Sequence, residues 1–125
     1  MKTVLIAEDE FSNYLYLAEL FEGTDTRIIY AANGMEALDI CRDNSSIDLV
    51  LMDIRMPVMN GYIAAKQIKE LRPNLPIIAQ TAYALETAMK GLSGNFDDFL
   101  IKPISRGIFK QKVSKFITLE NNIEK

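Results

Sequence analysis

The sequence predicts an α/β protein in which a doubly wound, five-stranded parallel sheet carries helices on both faces, a three-layer sandwich. Two observations carry this expectation. Short aliphatic runs alternate with longer segments of helical period along a chain of 125 residues, and the runs contain almost no polar residues. Strict alternation builds βαβ units, and strands without polar alternation belong to sheets covered on both faces. The length fits one domain, because either half alone would be too small to bury a sound core. No internal repeat or low-complexity tract competes with the pattern.

In chain order, the predicted strands are Thr3–Ala7, Arg27–Ala31, Leu49–Met52, Ile77–Gln80 and Phe99–Ile101. Between the first two, Tyr14, Leu17, Ala18 and Phe21 fall at i, i+3, i+4 and i+7 and predict a helix with one apolar face. Met35, Leu38 and Cys41 form a shorter stripe in the second helix, and Ala64, Ile68 and Leu71 another in the third. The fourth helix, within Tyr83 to Phe96, is expected to be short, because Gly91 and Gly94 lie close together and glycine disfavours a helix interior. Either glycine could equally end it as a C-cap. The last helix follows Ser105 as N-cap and places Phe109, Val113, Phe116 and Ile117 on one face.

Composition narrows the chemistry. Histidine is absent and cysteine occurs once, as Cys41, so imidazole catalysis, a phosphohistidine on this chain, a thiolate metal site and an internal disulfide are all excluded. Cys41 reads as an ordinary buried residue, and a reducing compartment, the cytoplasm, is expected. Fourteen Lys and Arg against seventeen Asp and Glu give a net charge of −3. Direct nucleic-acid binding is not expected, because Lys110, Lys112 and Lys115 alternate with apolar residues as the wet face of a helix. The apolar run Val4–Ala7 meets Glu8, Asp9 and Glu10 at once and is far too short for a membrane span.

In doubly wound sheets, functional groups collect beyond the carboxyl ends of the strands. The first predicted strand ends at Glu8 and Asp9, the third at Asp53, the fourth at Thr81 and the fifth at Lys102 and Pro103. A single acid in such a place commonly caps the next helix. Asp53 does not fit that role, because Ile54-Arg55-Met56-Pro57 separate it from helical sequence. Three carboxylates sharing a cleft repel one another unless a cation lies between them. All-oxygen ligands select a hard ion, Mg(II) foremost, with Mn(II) as a substitute. Lys102 and the Thr81 hydroxyl suit the oxygens of a phosphoryl group beside that ion.

These residues lie in four ordered fragments: Ile6-Ala7-Glu8-Asp9-Glu10, Asp48 to Gly61 around Asp53, Gln80-Thr81-Ala82, and Leu100-Ile101-Lys102-Pro103-Ile104. From Thr3 to about Ile117 the chain resembles the receiver (response-regulator) domain of two-component signalling, a flavodoxin-like (βα)5 fold. The resemblance implies that Asp53 accepts a phosphoryl group from the phosphohistidine of a histidine kinase or phosphotransfer protein. It implies that Glu8, Asp9, Asp53 and the main-chain carbonyl of Arg55 hold Mg(II), and that Lys102 bridges to Asp53 and then to its phosphoryl group. Thr81 would be the switch hydroxyl and Phe99 the switch aromatic, Lys102–Pro103 a cis peptide, and Pro57 with Asn60-Gly61 a loop closing over the site. Arg55 and Tyr83 would flank the water that hydrolyses the acyl phosphate and tune its lifetime.

The sequence also departs from the family pattern. Glu8 stands where Asp is frequent, and its extra methylene shifts the metal contact toward a bridging water. Phe99 lacks the hydroxyl of the frequent tyrosine and cannot donate a hydrogen bond to a partner. Competing readings are a flavin or nucleotide carrier, a metal-dependent aspartyl phosphatase and an inactive receiver kept as an interaction module. The first lacks a phosphate-binding loop, since Glu8-Asp9-Glu10 would repel phosphate. The second would want a carboxylate two residues after Asp53, where Arg55 stands, and the third is disfavoured by Asp53, Thr81 and Lys102 together. The expected organisation is a receiver over residues 1–119 and a tail over 120–125, acting through its own surface on an unidentified downstream protein or forming part of a longer hybrid kinase or regulator. It is expected to catalyse only its own phosphorylation and slow dephosphorylation.

Overall fold

The computed structural model describes residues 1–82 and 94–120. The described chain runs β1 (Lys2–Ala7), α1 (Phe11–Leu20), β2 (Thr26–Ala31), α2 (Gly34–Asp43), β3 (Leu49–Asp53), α3 (Gly61–Leu71), β4 (Ile77–Thr81), β5 (Asp98–Ile101) and α4 (Arg106–Val113). The predicted helix between Tyr83 and Phe96 lies largely outside the described residues. All strand pairs are parallel, in the order β2-β1-β3-β4-β5. The chain therefore leaves β1 in one direction to make β2 and crosses to the other side of β1 for β3, which puts a switch point between β1 and β3.

Burial follows from this order. Every residue of the inner strands β3 and β4 is buried, as the unbroken apolar runs require, whereas the edge strand β2 is largely half-exposed. Alternate side chains feed two cores. Leu5, Val50, Met52, Ile77 and Ala79 meet α2 and α3 on one face, and Val4, Ile6, Leu49, Leu51 and Ile78 meet α1 and α4 on the other. Cys41 is buried in the first core, and that burial pushes its thiol up to about 11, so it is an unreactive packing residue.

The helices keep the predicted faces with two corrections. Met35 and Leu71 are exposed, and Ala37 and Ala65 take the buried positions in their helices. The α2 and α3 helices approach closely at Gly34, where a Cβ would lie 3.1 Å from Ala64 Cβ. Asn60 and Ser105 cap α3 and α4, each accepting a hydrogen bond from the amide three residues on, Ile63 and Ile108. α4 ends at Val113, and Phe109, Val113 and Ile117 are nonetheless all buried, Ile117 on the turn that follows. Among the described residues, no helix is long and apolar enough to cross a membrane.

Candidate functional site

The strand order brings the carboxyl ends of β1, β3, β4 and β5 to one edge of the sheet. A cleft of about 180 Å³ there is lined by Glu8, Asp9, Glu10, Asp53, Arg55, Thr81, Ala82 and Lys102. Glu8 and Asp9 follow β1 directly, Asp53 is the last residue of β3 and Thr81 the last of β4. Lys102 follows β5, its amide donating to the Thr81 carbonyl at 2.7 Å, and the Lys102–Pro103 peptide is cis. Hydrogen bonding of the main chain thus fixes where the lysine leaves the sheet.

One carboxylate oxygen from each of Glu8, Asp9 and Asp53 lies within 4.8 Å of the others. Asp9 is exposed at the rim, while Glu8 is fully buried and Asp53 is 6% exposed. The Lys102 ammonium sits between the two buried acids, 3.3 Å from Glu8 Oε1 and 3.5 Å from Asp53 Oδ2. Burial, followed by the charge of Asp53, pushes the Glu8 carboxyl up to about 7, an effect that Lys102 only partly offsets. Asp53 is also raised by burial, but Lys102 and a hydrogen bond from Glu8 hold it down. Both buried acids are therefore harder to ionise than exposed carboxyls. This is a site with one negative charge too many for its own lysine. Its oxygen-only donor set fits a hard divalent cation, which would relieve the repulsion that adds to burial in raising the Glu8 carboxyl.

The segment after Asp53 is held by main-chain bonds from both ends. The Gly61 amide donates to the Ile54 carbonyl at 2.8 Å, and the Gly34 amide donates to the Met59 carbonyl at 3.0 Å. A Cβ at Gly61 would collide with the Asp53 carbonyl oxygen and lie 2.9 Å from Ile54 Cα, so the start of α3 packs against the backbone of the acid itself. Val58 takes a φ of 68°, unusual for a β-branched residue, and the Met59 amide reaches back to the Pro57 carbonyl at 2.7 Å. Pro57 and Asn60 line a neighbouring depression with Asp9 and Arg55. The loop thus borders the acidic cleft, with which that depression shares Asp9 and Arg55.

Of the residues singled out from sequence, the structure brings Glu8, Asp9, Asp53, Arg55, Thr81 and Lys102 together. Phe99 lies apart from them on β5, half-buried and edge-on to Phe96 with ring centres 5.7 Å apart. Tyr83 lies outside the described residues. Sequence reading passed over Gln80, a fully buried amide inside an apolar strand. Its signal was the single polar residue in the run Ile77–Gln80.

A doubly wound sheet that gathers three acids, a lysine and a hydroxyl at its switch point places the protein among receiver-type signalling domains. The sequence pattern of the response regulator receiver domain matches residues 4–114, and the chain belongs to that family. It is 38% identical over 102 residues to the transcriptional regulatory protein ZraR of Klebsiella oxytoca, a match spanning 81% of this chain and 23% of that protein. The chain thus spans about a quarter of the length of that relative. It is similar in structure to the response regulator TrrA of Thermotoga maritima in complex with Mg(2+)-BeF, with a TM-score of 0.86, 31% identity, and coverage of 94% of this chain and 100% of that one. It is also similar to a chain in the co-crystal structure of the Saccharomyces cerevisiae histidine phosphotransfer signaling protein Ypd1 and the receiver domain of its downstream response regulator Ssk1. There the TM-score is 0.81 at 28% identity, covering 92% of this chain and 88% of that one.

Proposed function

We propose that Asp53 is the phosphoacceptor of this two-component receiver, taking a phosphoryl group from the phosphohistidine of a histidine kinase or phosphotransfer protein. The observation that carries this reading is the meeting of Asp53 with Lys102, Glu8 and Asp9 in one cleft at the switch point. The likeness to the Ypd1–Ssk1 complex supports the partner class. An Asp53 carboxylate oxygen attacks phosphorus, the phosphorus–nitrogen bond breaks, and its electron pair returns to the imidazole of the donor. An acyl phosphate remains on Asp53.

Glu8, Asp9, Asp53 and the Arg55 carbonyl would hold Mg(II), which supplies charge neutralisation for the incoming phosphoryl oxygens. The Lys102 charge and a hydrogen bond from Glu8 offset part of the burial that raises Asp53 and so favour its ionised, nucleophilic form. Lys102, already 3.5 Å from Asp53 Oδ2, holds a phosphoryl oxygen after transfer. Thr81, 2% exposed at the end of β4, turns its hydroxyl toward the same group, and Phe99 on the neighbouring strand follows. The altered surface around β4 and β5 is read by a downstream protein. Arg55 and Tyr83 restrict the approach of hydrolytic water and lengthen the life of the acyl phosphate. The receiver comprises residues 1–119 with a tail over 120–125, and it works in the cytoplasm.

The test is incubation with acetyl phosphate and Mg(II), followed by intact-mass measurement. One added phosphoryl mass is expected on the parent and none on Asp53→Asn. Equal labelling of Asp53→Asn would remove Asp53 from this role.

A further inference from the structure

Lys102 faces Glu8 across a sheet in which β3 and β4 separate the strands that carry the two residues. The sheet ladder reaches Lys102 only at its amide, which donates to the Thr81 carbonyl. Beyond it, Lys102, Pro103 and Ile104 make the whole connection to Ser105, the cap of α4. On the α1 side a cavity of about 640 Å³ opens beside this connection, lined by Tyr16, Leu17, Lys102, Pro103 and Ile104 among others. Lys102 and Pro103 thus border open space there rather than a packed helix face. The Tyr16 hydroxyl spans the gap and donates to the Ile104 carbonyl, 88 residues away in sequence.

Tyr16 belongs to α1, which starts two residues after Asp9. Its bond therefore joins the connection that carries Glu8 and Asp9 to the one that carries Lys102. Burial of the Ile104 side chain with Leu17 fixes how deep the second connection lies. The hydroxyl adds a direction, because a hydrogen bond to a carbonyl is made only over a limited range of angles. Tyr16 is itself exposed and belongs to neither core, so its contribution is the hydrogen bond rather than packing. We propose that Tyr16 is a positioning residue for Lys102, holding the connection after β5 so that the ammonium stays 3.3 Å from Glu8 and 3.5 Å from Asp53. A lysine carries its charge on a flexible four-carbon stem, so its aim depends on how firmly its main chain is held. The inference rests on the phosphoacceptor reading of Asp53 only for its effect on phosphoryl transfer.

Tyr16→Phe removes the hydroxyl and keeps the exposed ring. Thr24→Val is the control: it removes a hydroxyl that donates to the Phe21 carbonyl, beside the start of β2 and so at the opposite end of the sheet. Full chains with isotope-labelled lysine Cε are compared by NMR in EDTA, the Lys102 signal being the one missing from Lys102→Arg. In Tyr16→Phe that signal is expected to move toward those of the exposed Lys2 and Lys110, and in Thr24→Val to keep the parent position. Labelling by acetyl phosphate with Mg(II), followed by intact mass, is expected to slow roughly 3- to 10-fold in Tyr16→Phe, the factor that one hydrogen bond confers. Thr24→Val is expected to label at the parent rate. An unmoved Lys102 signal in Tyr16→Phe, a labelling rate equal to the parent's, or equal changes in both variants would overturn the proposal. A parent that takes no label would overturn the reading of Asp53 instead, and the Lys102 signal would still decide the role of Tyr16.

Discussion

Replacing Glu8 by Gln tests whether an excess of buried negative charge is built into the cleft. In the folded chain the Glu8 carboxyl is raised from 4.5 to about 7, chiefly by burial and then by Asp53. Between those two values the native state binds more protons than the unfolded state, so stability falls as pH rises through the window and levels off above about 7. The gap of about 2.5 pH units, at 1.36 kcal/mol each, sets a destabilisation of about 3 kcal/mol once Glu8 is ionised. Gln keeps the shape and can still donate to Asp53, but it has no charge to lose. Denaturant or thermal unfolding in EDTA should therefore find Glu8→Gln close to the parent at pH 5 and more stable at pH 8 by about 3 kcal/mol, roughly 10 °C in Tm for a chain of this size. Subtracting variant from parent cancels the titration of acids that do not interact with Glu8 and leaves that of the coupled Glu8–Asp53 pair. A difference that stays flat from pH 5 to pH 8 would refute the reasoning.

The remaining predictions concern the same cleft. Mg(II) should raise Tm in differential scanning calorimetry, by about 2.7 kcal/mol equivalent at a hundredfold excess over Kd, and the increment should be larger at pH 8 than at pH 6, because the ion must displace the Glu8 proton; chelation should reverse it, and an increment independent of pH would contradict the assigned ligand. Gly61→Ala should cost about 1–3 kcal/mol and slow labelling by acetyl phosphate, because the new Cβ meets the Asp53 carbonyl and can be accommodated only by moving backbone; an unchanged urea midpoint and labelling rate would show that the loop yields freely. Arg55→Asn and Tyr83→Ala should each shorten the phosphoryl half-life several-fold at fixed Mg(II), measured by loss of the added mass, and equal half-lives would remove occlusion as the control.

Much of this protein was legible in one dimension. Strand positions came from apolar runs because a parallel sheet covered on both faces leaves no polar side to its inner strands, as β3 and β4 bear out. The acids, the hydroxyl and the lysine stood out because each follows such a run, where the sheet can no longer cover a side chain. Their assembly into one cleft required the strand order, which places β3 beside β1 and leaves β2 at the edge. Sequence placed Glu8 and Asp9 side by side at the end of the first strand, whereas the fold buries Glu8 completely and leaves Asp9 at the rim. That burial, reinforced by the charge of Asp53, is what raises the Glu8 carboxyl. Periodicity likewise assigned Met35 and Leu71 to the core, but the fold leaves both exposed and buries Ala37 and Ala65 instead. Gln80 was hidden for the opposite reason: in sequence it is one polar residue in an apolar run, and only the tertiary packing makes it a fully buried side chain whose oxygen has no hydrogen-bond partner among the described residues. Residue type and order set which groups reach the sheet edge, while desolvation and steric fit, which depend on neighbours distant in sequence, decided what those groups do there.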